Sequence, residues 1–419
     1  TQGTFVNNGT FASTIINING TGNLTNYGNL LSGQTITINV SGNFTNVVNI
    51  TSSTNVSVTA GNITNTGNIT GQQNTLINTT NNGSLTNNGT IGAIGNTTVL
   101  VGDLYNNANA VIGNSTKNTN VTSNGTLTNN GTITGCTLTV TGVSLINGGS
   151  ITSPCSFGLN MVGNFSNTGN VTSGANLNLT AGNISNSGTG NITGASATTV
   201  NSTGSIVNNG TIGAVGATTV NGGDVTNNGT GKIGNSAAAT NITGSSLTND
   251  GNVTGSAVGV NVSGNVSNTG NITSAGAVTV AAGNVSNSGT DNITGAGGTT
   301  VNSTGSIVNN GTIGAAGATA VNGGTVTNNG TGTIGNSGSA TNITGTSLTN
   351  AGNVTGSAVG VNVSGNVSNS GNITSATSVD VKGGNVSNGG NITGTGSTNV
   401  TAANNGTIFN NGTIGATGN

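Results

Sequence analysis

The sequence predicts an all-β protein that folds as a right-handed parallel β-helix, and three observations support this fold class. Short runs alternate apolar and polar residues, glycine or Asn-Gly ends each run after three to six residues, and the whole pattern repeats along the chain. Alternation with a period of two places one set of side chains inside and the other outside. Self-similarity at a fixed period is typical of solenoids.

The longest internal match has a period of 101 residues. GSIVNNGTIGA starts at Gly204 and again at Gly305, and GTIFNNGTIGA follows at Gly406. Residues 198–298 and 299–399 are therefore near-identical superrepeats of five coils each. We expect one β-solenoid domain over residues 1–419, because each unit of a repeat array contacts only its neighbours.

A single repeat can be folded from its pattern alone. Within residues 260–277, Val260, Val262, Val266 and Ile272 alternate with polar residues and point inward, and turn residues separate the runs. The repeat thus has three short strands and three corners. Counting such units along the chain predicts about 21 coils of roughly 18–22 residues.

Asparagine recurs at equivalent corners of successive coils. We expect the stacked amides to form ladders along the stack, as Asn and Gln do in cross-β assemblies. The alternative is that Asn is used there because it tolerates left-handed turn conformations. The corner asparagines are Asn167, Asn186, Asn268, Asn287, Asn369 and Asn388.

Ionisable side chains are nearly absent. General acid–base and nucleophilic catalysis need His, Glu, paired Asp or an activated Ser or Cys. The superrepeats also treat charge as optional, since Asp224 is replaced by Thr325 and Asp250 by Ala351 one period later. We therefore expect no enzyme, no cofactor and no metal site. The charged residues are Asp103, Asp224, Asp250, Asp291, Asp380, Lys117, Lys232 and Lys382.

The same composition also limits the partners that the chain is expected to bind. Three lysines cannot form the basic stripe that nucleic acid requires. No apolar run approaches the length of a membrane-spanning helix. We expect neither nucleic-acid binding nor a membrane span.

The two cysteines, Cys136 and Cys155, lie 19 residues apart at the same corner of consecutive coils. Stacked residues are about 4.8 Å apart at Cα, a distance that a disulfide can bridge. We predict a disulfide between them, and with it an oxidising, extracytoplasmic location. The alternative is a pair of buried free thiols.

Sequons of the form N-x-[ST] are abundant, and six are candidate glycosylation sites. In strand triplets the residue after the Asn faces inward, so the Asn faces solvent. A chain this rich in Asn, Ser and Thr also produces sequons by chance, because the motif is permissive. The candidates are Asn62, Asn183, Asn265, Asn271, Asn366 and Asn391.

The segment GNVSNTGNITSAGAVTVAAGNVSNSG, residues 264–289, resembles the haemagglutinin-type repeats in the shaft of filamentous haemagglutinin-like adhesins. Those adhesins are secreted by bacteria through a two-partner route. The resemblance covers nearly the whole chain. It implies a right-handed β-helical shaft, export, and a role at the cell surface in adhesion or matrix formation.

The two ends of the sequence are similar to each other and do not resemble solenoid caps. The chain starts at Thr1 rather than Met, which fits a processed, secreted protein. We expect head-to-tail stacking of copies, a heterologous contact that builds filaments. The residues expected at this contact are Phe5, Val6, Phe11, Ile408, Phe409 and Ile414.

The expected function is that of a structural protein in an extracellular fibre or cell-surface filament. The alternative is the shaft of a secreted adhesin that binds host or cell-surface glycans. Ice binding is a third reading, because triplets such as Thr35-Ile36-Thr37 resemble pieces of a flat threonine array.

Overall fold

The structure, a computed structural model, describes residues 3–403 and 405–418. Among these residues there is no helix, and consecutive coils pair through parallel strands. Contacts divide the chain into two compact units, Thr1–Gly204 and Ser205–Asn419. Each unit is a parallel β-solenoid with three strands per coil, so the predicted fold class is confirmed. The expectation of a single domain stays a prediction.

The first unit contains ten coils and the second contains eleven, counted by the one inward asparagine that each coil contributes. Consecutive counting residues are 18 to 23 positions apart. The number of coils agrees with the sequence-based count. The range of lengths is one residue wider than expected, because insertions lengthen corners without disturbing the strands.

In the first unit the first strands are Phe5–Asn7, Leu24–Asn26, Phe44–Asn46, Ile63–Asn65, Leu85–Asn87, Leu104–Asn106, Phe165–Asn167 and Ile184–Asn186. The second strands are Asn49–Ser52, Asn68–Gly71, Thr90–Ala93, Val111–Asn114, Thr132–Gly135, Ser150–Ser153, Asn170–Ser173 and Asn191–Gly194. The third strands are Asn55–Ala60, Asn74–Thr79, Thr97–Val101, Ser156–Met161, Leu177–Ala181 and Thr198–Ser202. Four strands run through a corner: Phe11–Gly20, Leu30–Val40, Thr119–Asn129 and Thr137–Asn147.

In the second unit the first strands are Ile206–Asn208, Asp224–Asn227, Ser246–Asn249, Asn265–Asn268, Asn284–Asn287, Ser306–Asn309, Val367–Asn369, Val386–Asn388 and Ile408–Asn410. The second strands are Thr211–Ala214, Lys232–Gly234, Asn252–Gly255, Asn271–Ser274, Asn292–Gly295, Thr312–Ala315, Thr333–Gly335, Asn353–Gly356, Asn372–Ser375, Asn391–Gly394 and Thr413–Ala416. The third strands are Thr218–Asn221, Thr240–Gly244, Val258–Val262, Ala277–Ala282, Gly298–Ser303, Val359–Val363, Ser378–Gly383 and Ser397–Ala402, and two strands run through a corner, Ala318–Asn328 and Thr341–Asn350.

The core is a set of aliphatic columns. One coil of the first unit contributes Phe44, Ile50, Val56 and Val58, which are at most 1% exposed. Four such side chains contribute roughly 8 kcal/mol. Ordering about twenty backbone residues costs more, at roughly 1–2 kcal/mol each. An isolated coil is therefore unstable, and the contacts between coils supply the remaining stability.

Candidate functional site

The inner asparagine ladder is the most regular polar feature of both units. Each first strand ends with an apolar residue, an outward residue that is most often Ser or Thr, and an Asn, so that alternation turns the apolar residue and the Asn inward. The Nδ2 of each Asn donates to Oδ1 of the Asn in the next coil at 2.7–2.9 Å. The members are Asn7, Asn26, Asn46, Asn65, Asn87, Asn106, Asn129, Asn147, Asn167 and Asn186 in the first unit, and Asn208, Asn227, Asn249, Asn268, Asn287, Asn309, Asn328, Asn350, Asn369, Asn388 and Asn410 in the second.

Asn268 shows how one ladder amide is satisfied. Its Nδ2 donates to Asn287 Oδ1 at 2.8 Å and to the Gly270 carbonyl at 2.8 Å. Its Oδ1 accepts from Asn249 Nδ2 at 2.8 Å, and the side chain is fully buried. Because a buried amide without partners destabilises a protein, each ladder position depends on the Asn of the coil before and the coil after.

The structure decides between the two explanations of the corner asparagines. The non-glycine residues with positive φ, among those described, are Asn81, Asn82, Asn109 and Asn405. None of these belongs to the inner ladder. The ladder asparagines are therefore retained for stacking rather than for a left-handed turn, and the predicted amide ladder is confirmed.

The inner ladder also has a direction. Within each unit, every member before the last donates an amide hydrogen to the coil that follows in sequence. Aligned hydrogen bonds of this kind polarise one another and strengthen cooperatively. Each unit therefore has an acceptor end and a donor end, and coils can be added to the ladder in only one orientation.

The six candidate glycosylation sites lie on the outside of the coils. Asn271 is half-buried, and the other five are exposed. Asn62, Asn183 and Asn391 donate from Nδ2 to the Asn of the preceding coil, at 3.0, 3.0 and 2.8 Å. These outer ladders therefore run in the opposite direction to the inner ladder.

Two of the remaining candidates occupy the acceptor position of an outer ladder. Asn265 and Asn366 accept from Asn284 and Asn385, each at 3.0 Å. Asn271 both donates to Asn252 at 3.4 Å and accepts from Asn292 at 3.2 Å. The six sequons are thus part of the contacts between coils, and their glycosylation stays a prediction.

Cys136 and Cys155 form a disulfide with a Cα–Cα distance of 4.8 Å. The cysteines follow the second strands Thr132–Gly135 and Ser150–Ser153, at the same corner of adjacent coils. The backbone around them is also paired, because the Cys155 and Ser156 amides donate to the Cys136 carbonyl at 3.1 and 3.0 Å. The bond therefore covalently joins two coils that are already in register.

Removing this disulfide should destabilise the first unit. We expect the double variant Cys136→Ser, Cys155→Ser to lower its free energy of unfolding by about 3 kcal/mol, the value for a closed loop of this order of length. Urea denaturation followed by circular dichroism measures the difference. Ser156→Ala, at an exposed neighbouring position, should change stability by less than about 0.5 kcal/mol. Equal stability of the cysteine double variant and the control would contradict a structural role.

The carboxylates act as acceptors between coils. Asp103 Oδ1 accepts from the Thr126 amide at 2.7 Å, and Asp224 Oδ1 accepts from the Ser246 hydroxyl at 2.6 Å. Both occupy the outer position that Asn fills in other coils. Burial, and to a lesser extent the nearby Asp250, raises the pKa of Asp291 above its ordinary value.

Sequence reasoning did not identify a set of buried threonines at the start of the third strands. They stack in register, as Thr75 on Thr97 and Thr97 on Thr119, and all are at most 1% exposed. Thr75 Oγ1 donates to the Gly92 carbonyl at 2.5 Å, whereas Thr97 Oγ1 has no partner. A Thr two residues before an inward Val or Ile was the signal available in the sequence. In the second unit the set contains Thr218, Thr240, Thr299, Thr319 and Thr341.

The residues expected at the end contacts divide into two groups. Phe5 continues the inward column of Leu24, and Ile408 continues that of Val386. Val6 and Phe409 instead pair with outward Thr25 and Ser387, so they lie on the lateral surface. The inward group consists of Phe5, Phe11, Ile408 and Ile414, and the outward group of Val6 and Phe409.

Among residues 3–403 and 405–418, no three His, Cys, Asp or Glu side chains lie close enough together to hold a metal ion. No helix in this part of the chain has the length and apolarity needed to cross a membrane.

The chain was also compared with known proteins. No protein-family model matches it. No curated protein and no solved structure matches it either. The function of the chain is therefore inferred from the geometry of its coils.

Proposed function

We propose that this protein is a structural component of an extracellular fibre or cell-surface filament. The observation that carries this proposal is the inner ladder, which is unbroken within each unit and consists of identical amides hydrogen-bonded in one direction. Such a ladder makes every coil depend on its neighbours and favours a rigid, repetitive body.

The chemistry of the surface supports the same proposal. The chain has three lysines and five aspartates in 419 residues. The aspartates that bond between coils are acceptors in outer ladders rather than a convergent cluster. We propose a non-enzymatic role, because catalysis needs convergent acid, base or nucleophilic groups. The disulfide favours a secreted protein, since such bonds persist in oxidising compartments.

The terminal coils support filament growth by stacking. Phe11 and Ile408 are 47% and 48% exposed, whereas Leu30 and Val386, the inward residues that they pair with, are 1% exposed. Asn410 Nδ2 is at the donor end of the second unit's inner ladder, and Asn7 Oδ1 is at the acceptor end of the first unit's. A coil that stacks on either end, from a second copy or from a continuation of the same polypeptide, would extend both the aliphatic columns and the ladder.

Two variants that each block one end test this proposal. Phe5→Lys places a charge in the first coil of the first unit, and Ile408→Lys places one in the last coil of the second unit. We expect neither variant alone to elongate, because burying a charge in a stacked column is unfavourable. A mixture of the two should form particles of twice the length, since the unblocked end of one fits the unblocked end of the other. Sedimentation velocity and electron microscopy report the masses and lengths.

The control for this experiment is Val162→Lys, at a lateral position that is 84% exposed. This variant should form filaments as the parent chain does. Parent protein that consists only of rods of one length, with no growth at high concentration, would overturn the stacking proposal.

A second candidate function is the shaft of a glycan-binding adhesin. The resemblance to filamentous haemagglutinin-like repeats favours it, as does a shallow neutral groove of the second unit. This groove follows the corner after the third strand and is lined by Asn302, Ser303, Asn322 and Thr344. Glycan-array binding that is lost on substitution of Asn322 by Leu supports this candidate.

Ice binding is a weaker third proposal, since glycine pairs interrupt the outward threonine column of the second strands.

A further inference from the structure

The second strands of the second unit form a regular and nearly neutral face, which we name the second-strand face. Its eleven strands pair in register, and each of the first ten buries one central aliphatic residue such as Ile272 or Ile293. The residues on either side of that aliphatic point outward in two parallel columns. One column is mainly Asn and the other mainly Thr.

The two columns follow a repeating pattern. Three coils with the triplet Asn-x-Thr alternate with two coils in which Gly replaces Thr. The pairing of each second strand with the next one aligns these residues into columns. The Thr column reads Gly213, Gly234, Thr254, Thr273, Thr294, Gly314, Gly335, Thr355, Thr374, Thr393 and Gly415.

The asparagines of this face are fixed by their own ladder. Asn372 Nδ2 donates to Asn353 Oδ1 at 2.9 Å, and Asn391 Nδ2 donates to Asn372 Oδ1 at 2.8 Å. Each amide has a second N–H that this bond does not use. The face therefore presents ordered amides and hydroxyls at the spacing of the coils, about 4.8 Å.

Charge is almost absent from this face. Lys232 is the one ionisable residue on its eleven strands. The first strands include Asp224, and the third strands include Asp380 and Lys382. Neutral columns of stacked, identical side chains, Asn ladders among them, pack against copies of themselves in dry zippers.

The size of the face is also suited to self-association. Eleven strands at about 4.8 Å span about 50 Å, and four residues in a strand span about 13 Å. The face therefore covers about 650 Å². Stable protein interfaces bury about 800 Å² on each partner.

We propose that the second-strand face pairs with the same face of a second copy of this chain, so that two solenoids associate side by side. The contact is isologous, because the same patch is used on both partners. It goes beyond the proposed fibre function, since stacking lengthens a filament whereas this contact joins filaments laterally.

The experiment uses a chain that cannot elongate, the double variant Phe5→Lys, Ile408→Lys. We expect this chain to sediment as a dimer. Adding Asn271→Lys and Asn372→Lys, equivalent positions of the two superrepeats, should halve the sedimenting mass by placing like charges across the contact. Lysine is compatible with this column, because Lys232 occupies it naturally.

The matched control is Asn261→Lys with Asn362→Lys, which adds the same charge to exposed positions of third strands. This control should remain dimeric, and far-UV circular dichroism should show unchanged strand content in both sets. A monomeric end-blocked chain would overturn the proposal, as would equal dissociation of both lysine sets. Failure here leaves end-to-end stacking intact, because that proposal is read from the mixture of the two single variants.

Discussion

Replacing the buried ladder residue Asn268 by Asp is expected to destabilise the second unit by about 4 kcal/mol at neutral pH. An ionised carboxylate cannot donate to Asn287 Oδ1 or to the Gly270 carbonyl, so acceptors face acceptors in a buried position. Urea denaturation and hydrogen exchange of peptides from the affected coils measure the loss.

The same variant should show a characteristic pH dependence. Burial and the facing acceptors raise the pKa of the introduced carboxyl in the folded state above its unfolded value of about 3.9. The protonated carboxyl donates again, so the stability deficit is smallest below the unfolded pKa. It grows as pH rises through the raised folded pKa.

The control for the ladder variant is Asn265→Asp in the same strand. Asn265 is exposed and accepts from Asn284 Nδ2, a role that a carboxylate also fills. We expect a change of less than about 0.5 kcal/mol. Equal destabilisation by the two substitutions, or an Asn268→Asp deficit that does not diminish in acid, would contradict the ladder.

The second large effect is expected at Gly335. This residue has φ +87°, and a Cβ added there would overlap the Thr355 carbonyl oxygen and Thr341 Oγ1. Gly335→Ala should therefore destabilise the second unit by about 3–5 kcal/mol, through backbone strain and overpacking together. Gly234 has φ +80° and the equivalent neighbours, Thr254 and Thr240, so Gly234→Ala should behave similarly.

Gly330 provides the matched control, since a Cβ there would meet nothing within 4 Å. Gly330→Ala should be neutral or slightly stabilising, because alanine restricts the unfolded chain. Thermal unfolding of the three variants ranks them directly. A Gly335→Ala variant as stable as Gly330→Ala would show that the tight corner does not exist.

The alternation of apolar and polar residues was sufficient to predict the core. Val260, Val262, Val266 and Ile272 are buried as their spacing indicated, because a period of two leaves no other arrangement with a filled interior. The recurrence of Asn268 and Asn287 predicted the ladder as well. Identical residues at one coil position stack directly when the strands are parallel and in register.

Other features could not be predicted from hydropathy. Val6 and Phe409 are apolar but face outward, because the neighbouring Asn7 and Asn410 take the inward positions of three-residue strands. Thr218 is polar but buried, since it shares the inward parity of Val220. In both cases the register of the strand outweighs the polarity of the residue, and register depends on neighbouring coils.

The second-strand face illustrates the same limit. The triplets Asn271-Ile272-Thr273 and Asn372-Ile373-Thr374 were visible in the sequence as sequons and strand fragments. Their alignment into two continuous columns depends on corner lengths, which vary between coils. Only the strand pairings show which residues are neighbours across the stack.

In each unit, parallel coils stack in register around aliphatic columns and an inner amide ladder. X-ray diffraction from aligned material reports this stacking. We expect a strong reflection near 4.8 Å along the fibre axis, from strands that lie across that axis. A pattern without this reflection, or with it perpendicular to the axis, would contradict the stacked solenoid.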